Sequence, residues 1–205
     1  MSLKKIKELD QEDYLKLQIE KTSRHRVRKK LLSKAVSREA VFKENFEFAM
    51  KYRCIKAGKK ALCLGSRMGE EVRALKSLGV DAVGVDLVEC LPDVIEMNFE
   101  DLQYEGEEFD IVYSNSMDHT SDIDTFLEEA VRVLKHKGYL ILDVMPGDGN
   151  VGTCEMYELD VFEIMQTLYE EFAMEIISLN ANLKRMYRGN HKSTQLIFRK
   201  GTKLK

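Results

Sequence analysis

The stretch that most constrains this chain is ALCLGSRMGEEVRALKSLGVDAVGVD, residues 61–86. Ala61-Leu62-Cys63-Leu64 is an apolar run short enough for a buried strand. Gly65 and Gly69, four residues apart, allow the backbone a tight turn. Val72, Leu75 and Leu78 then recur on one side of a helix over residues 69–78, which Gly79 stops, and residues 81–86 form a second strand. Strand, turn, helix and strand in such quick succession predict a parallel sheet covered by helices.

The rest of the chain extends that pattern. Further strands are predicted at residues 93–97, 109–114 and 139–144. A helix over residues 123–134 is marked by Ile123, Phe126, Leu127, Ala130, Val131 and Leu134 on one face. Ser121 or Asp122 can cap its start, and Lys135, His136 and Lys137 suit its negative end before Gly138. After the glycine-rich loop at residues 146–150, a helix is predicted from about 156 to 172. Strands at about 173–181 and 193–200 follow so closely that they read as an antiparallel pair. Before residue 59 the sequence is charged and poor in glycine. Two or three helices ending near Gly58 are expected there, with Tyr14, Leu15, Gln18 and Ile19 on one face and Val41, Phe42, Asn45, Phe46 and Ala49 on another. The expected organisation is a helical extension at 1–58 and an α/β domain at 59–205. A length of 205 residues suits one sizeable core.

In open sheets of this kind a ligand sits beyond the carboxyl ends of the strands. Asp86 stands twenty-one residues past Gly65, at the end of the second strand, where a carboxylate can accept hydrogen bonds from both hydroxyls of a ribose. The dinucleotide pattern G-x-G-x-x-G is not kept: Arg67 takes the middle glycine, and the acid pair Glu70-Glu71 opens the helix where a pyrophosphate would meet like charge. A nucleoside ligand with a positive, phosphate-free tail fits better. The competing reading is that both glycines serve packing alone.

This stretch resembles the first two motifs of class I S-adenosylmethionine-dependent methyltransferases. The later FDIVYSNSMDHTSDIDTFLEEAVRVLKHKGYLIL, residues 109–142, is similar to the fourth and fifth strands of the branch known as the type 11 methyltransferase domain. The resemblance implies a Rossmann-like methyltransferase fold, with a mostly parallel seven-stranded sheet whose last strand is antiparallel, and S-adenosyl-L-methionine as cofactor. It implies that Gly65, Ser66, Arg67 and Gly69 face the methionine part, that Asp86 holds the ribose and that Leu87 lies against the adenine. Asn98 and Phe99 would read the adenine edge, and Ser114 and Asn115 would border the cofactor. Two departures stand out. Cys63 occupies a position where the family usually has an acid, and Arg67 replaces a glycine, where it can pair with the methionine carboxylate or form an ion pair of its own.

Methyl transfer demands alignment of the acceptor, and a base only when the acceptor loses a proton. Asp118 and His119 are the candidate catalytic pair, although they can equally shape the loop before the next helix. A small-molecule acceptor is expected, with Tyr14, Lys21, Tyr52, residues 146–153 and Tyr157 as candidate lining. The alternatives are a binding or regulatory protein that keeps the fold without catalysis, and a nucleotide-dependent oxidoreductase. Residues 21–34 carry seven Lys or Arg and no acid, which is a solvated helix face or an RNA contact, although a net charge of −3 argues against a dedicated nucleic-acid binder. No apolar run reaches the ~20 residues of a membrane span. The four cysteines show no CxxC pair or zinc spacing, so no metal is expected; with no signal-like start, they suggest a cytoplasmic protein.

Overall fold

A computed structural model describes residues 4–5, 9–145, 157–181 and 193–201. Three helices come first: α1 (Gln11–Ser23), α2 (His25–Leu32) and α3 (Ala35–Met50). The last ends at Met50, short of Gly58. The sheet follows with β2 (Lys60–Leu64), α4 (Glu70–Ser77), β3 (Asp81–Asp86), β4 (Val94–Glu96), β5 (Phe109–Ser114), α5 (Ile123–Arg132), β6 (Leu134–Val144), α6 (Val161–Glu170), β8 (Met174–Asn180) and β9 (Thr194–Lys200). Two two-residue strands, β1 (Lys4–Lys5) and β7 (Tyr157–Glu158), pair antiparallel outside it.

The seven-stranded order is β4-β3-β2-β5-β6-β9-β8. Strands β4 to β6 run parallel, and β9, last in the chain, inserts antiparallel to both β6 and β8. This is the expected Rossmann-like methyltransferase architecture. The period-two alternation of each strand feeds a separate core on each face. Leu62 and Leu64 with Val112, Leu140 and Leu142 meet Phe126 and Leu127 of α5, Ile164 and Leu168 of α6, and Tyr14 of α1. Ala61, Cys63, Ile111, Tyr113 and Ile141 meet Phe42 and Phe46 of α3 and Val72 and Leu75 of α4. Phe46 meets the Tyr113 ring edge to face, with centroids 4.9 Å apart.

Two expected helices are shorter than their patterns. The helix from 123 ends at Arg132, and Leu134 begins β6, so Lys135, His136 and Lys137 lie in an irregular strand start rather than a last helical turn. The amides of Glu107, Glu108 and Phe109 donate to the carbonyls of Arg132 and Val133, drawing the chain into the sheet; Leu134 is fully buried there as it would be on the helix. The helix expected at 156–172 spans only Val161–Glu170, capped by Asp160, whose side chain accepts from the Phe162 and Glu163 amides. Tyr157 and Glu158 are paired with β1 instead, and residue 156 lies outside the described residues. In α1, Tyr14 is buried while Ile19 is exposed, because the helix packs by one narrow edge. No helix among the described residues is long and apolar enough to cross a membrane.

Candidate cofactor and acceptor cleft

Strand β2 has β3 on one side and β5 on the other, so the sheet order reverses at its end. Register sets Leu64 beside Val85 and Ser114, which carries the chain from Leu64 into Gly65 opposite Asp86. Gly65 has φ +75°, and a Cβ there would lie 2.7 Å from Ser116 Cβ, so the position admits only glycine without strain. The amides of Gly65 and Ser66 donate to the Val85 carbonyl at 2.9 and 3.0 Å, and that of Arg67 to Asp86 Oδ2 at 2.9 Å. Gly69, also at positive φ, starts α4.

An open cleft lies over this turn. Gly65, Arg67, Asp86, Leu87, Asn98, Phe99 and His119 line it, each expected from the sequence. Burial is the chief influence on the Asp86 carboxyl and raises its pKa, against the opposing pull of the Arg67 amide and charge and the amides of Val88 and Leu87. The Arg67 guanidinium meets no carboxylate at ion-pair distance among the described residues. Asn98 Oδ1 accepts from the Glu100 amide at 3.0 Å, so the loop after β4 fixes one end of this side chain. Phe99 stands edge-on to Phe126 at 5.4 Å and forms a flat wall.

The other expected residues lie behind the lining. Ser66 is buried and donates to the Cys63 carbonyl at 3.0 Å. Ser114 is buried, with its hydroxyl donating to the Leu64 carbonyl at 3.1 Å, and Asn115 Oδ1 accepts from Ser116 Oγ at 3.1 Å. Gly69 is packed beneath Asp93. Of the pair Asp118 and His119, in a single 3-10 turn (Met117–His119), only His119 lines the cleft; Asp118 is turned into the protein. Tyr14 is part of the lining, whereas Lys21 and Tyr52 are not, and Tyr157 donates to the Ser121 carbonyl at 3.2 Å. Residues 146–153 lie outside the described residues.

Five lining residues were missed by sequence reasoning: Leu15, Gln18, Thr22, Glu100 and Ser116. The helical face shared by Tyr14, Leu15 and Gln18 was legible, but nothing in the pattern showed that it faces a cleft. Tyr14 donates its hydroxyl to the His119 carbonyl at 2.9 Å and accepts from Gln18 Nε2 at 2.7 Å, so α1 is fastened over the opening. Glu100 is buried and accepts from Gln11 Nε2 at 3.1 Å, from Thr120 and from Ser121, tying α1 to the loop after β5. Ser116 donates to the Gly65 carbonyl at 3.3 Å.

The acid pair Glu70-Glu71 does not face the ligand space as its place at the helix start suggested. Both side chains are buried, and Glu70 meets Arg38 of α3 at 3.3 Å. Burial, helped by the Glu70 charge, pushes Glu71 up to about 8 against the lowering effects of its own amide, Arg38 and Ser66. Burial and then the Glu71 charge hold the Cys63 thiol well above its usual value.

Residues 62–142 match the model of a family described as a methyltransferase domain. No curated protein matches the chain. Among solved structures, the Burkholderia thailandensis 1,6-didemethyltoxoflavin-N1-methyltransferase, with bound 1,6-didemethyltoxoflavin and S-adenosylhomocysteine, is similar at 14% identity and TM-score 0.76, over 98% of this chain and 94% of that one. An S-adenosylmethionine-dependent methyltransferase from Aquifex aeolicus is similar at 16% identity and TM-score 0.58, over 75% and 88% of the two chains. The [4+2]-cyclase SpnF is similar at 15% and 0.63, over 78% and 80%. Identities this low speak for the fold alone.

Proposed function

We propose that this chain, a class I S-adenosylmethionine-dependent methyltransferase in its fold and its matched domain, transfers the methyl group to a small-molecule acceptor held between the Gly65 turn and α1. The observation that carries this reading is Asp86: its carboxylate stands in the cleft wall, tied to the turn by the Arg67 amide. A ribose with two free hydroxyls satisfies such a group, and the Gly65, Ser66 and Arg67 amides of the turn beside it are already engaged by the Val85 carbonyl and Asp86 instead of being offered to a pyrophosphate.

Held by Asp86, Leu87, Asn98, Phe99 and Arg67, S-adenosylmethionine would supply an electrophilic methyl group on a sulfonium for an acceptor's lone pair. Asp86 accepts from the ribose hydroxyls. Leu87 and Phe99 hold the adenine between apolar surfaces, and the free end of the Asn98 amide reads its edge. Arg67, with no carboxylate at ion-pair distance among the described residues, meets the methionine carboxylate. Gly65, Ser66 and Gly69 shape the turn, while Ser114 and Asn115 fix the position of Ser116 against it. Where the acceptor carries a proton, His119 receives it, and Asp118 supports the turn that presents the imidazole. Tyr14, Leu15 and Gln18 exclude water from above. In this reading residues 1–58 are the acceptor-side cap and 59–205 the cofactor domain. That the 1,6-didemethyltoxoflavin-N1-methyltransferase structure matches 98% of this chain, helices included, supports the assignment.

The test has two parts. S-adenosylhomocysteine should bind in calorimetry, and tritiated methyl from the cofactor should appear in the small-molecule fraction of a metabolite extract, not in its RNA or protein. Binding without any labelled product would favour a non-catalytic binding protein. No binding at millimolar ligand would remove the reading altogether.

A further inference from the structure

The basic segment at residues 21–34 is not absorbed by the cleft chemistry. It forms α2 and the corner into α3, and α2 buries no residue. Among the described residues, Arg24 pairs with Glu20, while Arg26, Lys29, Lys30 and Lys34 have no acidic partner. Beside these cations stand two apolar side chains in water: Leu32 is 59% exposed and Val36 84%. A third belongs to the same patch. Arg28 reaches the Glu89 carbonyl at 3.4 Å, and Arg73 joins Glu39 of α3 to Asp93, each bond 3.0 Å. The α2–α3 corner is thus tethered at both ends to the loop between β3 and β4, whose Leu91 is 66% exposed.

We propose that this patch is a contact for an anionic phospholipid surface. Three exposed apolar side chains, with lysines and an arginine that have no acidic partner among the described residues, supply the two signals that interfacial binding needs: apolar area for the acyl boundary and positive charge for the headgroups. The alternatives fit less well. A nucleic-acid backbone would engage the cations and leave Leu32, Val36 and Leu91 in water. A protein partner would be expected to anchor on aromatic side chains, and residues 21–36 and 87–92 contain no Phe, Tyr or Trp. Because α1 carries Thr22 into the cleft and the β3–β4 loop begins at Leu87, also in its lining, a bound lipid surface lies along the cleft's rim. The contact does not depend on the chemistry performed inside.

Sedimentation with large unilamellar vesicles tests it directly. In about 0.1 M salt the full chain should pellet with phosphatidylcholine vesicles carrying roughly 30% phosphatidylserine and stay in solution with phosphatidylcholine alone. The double variant K29E/K30E should lower partitioning by about tenfold or more. L32S/V36S should also weaken it while leaving the salt dependence in place. Neither variant touches the cleft, so unchanged S-adenosylhomocysteine binding and melting temperature certify the fold. Absence of phosphatidylserine-dependent pelleting overturns the proposal. So does binding indifferent to L32S/V36S, and so does displacement of that variant from vesicles by short single-stranded RNA as readily as the parent, which would assign the patch to nucleic acid.

Discussion

The Arg67 amide lies 2.9 Å from Asp86 Oδ2, so the turn after β2 and the acid ending β3 form one mechanical unit. Asp86 thereby has two tasks, holding the turn and presenting charge to the cleft.

Substitution separates those tasks. Asp86→Asn keeps an acceptor for the Arg67 amide and removes the charge; Asp86→Ala removes both. A hydrogen bond to a charged group contributes about 1.5–3 kcal/mol, so Asn should weaken S-adenosylhomocysteine binding by about tenfold or more, and Ala further, with a lower melting temperature. Calorimetry on both variants checks this. Equal binding by all three proteins would dismiss Asp86 as a ligand contact.

Gly65 faces a separate constraint. Its φ of +75° costs a side-chain-bearing residue about 1–2 kcal/mol, and its Cβ would lie 2.7 Å from Ser116 Cβ. Gly65→Ala should therefore lower stability in urea unfolding and impair ligand binding. Adding Ser116→Gly should restore part of the loss, since it removes the contact and not the backbone strain. If the single variant were as stable as the parent, the tight turn would be wrong.

Glu71 predicts a pH dependence. Burial raises it from 4.5 to about 8, so between those values the unfolded chain releases a proton that the folded protein keeps. Stability then falls as pH rises through that window and levels off above it, by roughly 2–5 kcal/mol in total. Asp143, buried and raised from 3.8 to about 6, adds a decline of the same sign at lower pH. Glu71→Gln should flatten the slope between about pH 6 and 8 and leave the variant more stable than the parent at alkaline pH. Urea titrations at a series of pH values read this, and an unaltered slope would mean that Glu71 is ionised in the fold.

Tyr14 should report on the cap. Its hydroxyl joins α1 to the His119 carbonyl, and Tyr14→Phe deletes that bond while preserving the buried ring. The expected cost is about 1 kcal/mol, with faster amide exchange in α1 and little change in the sheet. Exchange that accelerates evenly across the molecule would contradict a local fastening.

Much of this was readable in the chain. The short apolar runs at β2 and β5 marked buried strands, and the run from Leu64 through Asp86 marked both the turn and the acid, because glycine spacing and apolar runs are local properties; which core each strand residue faces came only from the packing of α1, α3, α4, α5 and α6. What failed is also physical. Leu134 satisfies a helical period and a strand equally, and only pairing with residues 107–109 decides between them. Glu70 and Glu71 look like solvent-facing acids at a helix start; a second helix, α3, lies over them and buries both.

The sequence by itself therefore determined the sheet, the position of its ligand turn and the identity of the carboxylate beside it, since short-range backbone geometry and side-chain periodicity carry that information. Tertiary structure alone decided that Tyr14, Gln18, Thr22, Glu100 and Ser116 meet around the same cleft and that Asp118 turns away from it while His119 does not. Those residues are separated by up to about a hundred positions, and their meeting depends on how α1 packs across the carboxyl end of the sheet, a relation between distant segments that no local pattern encodes.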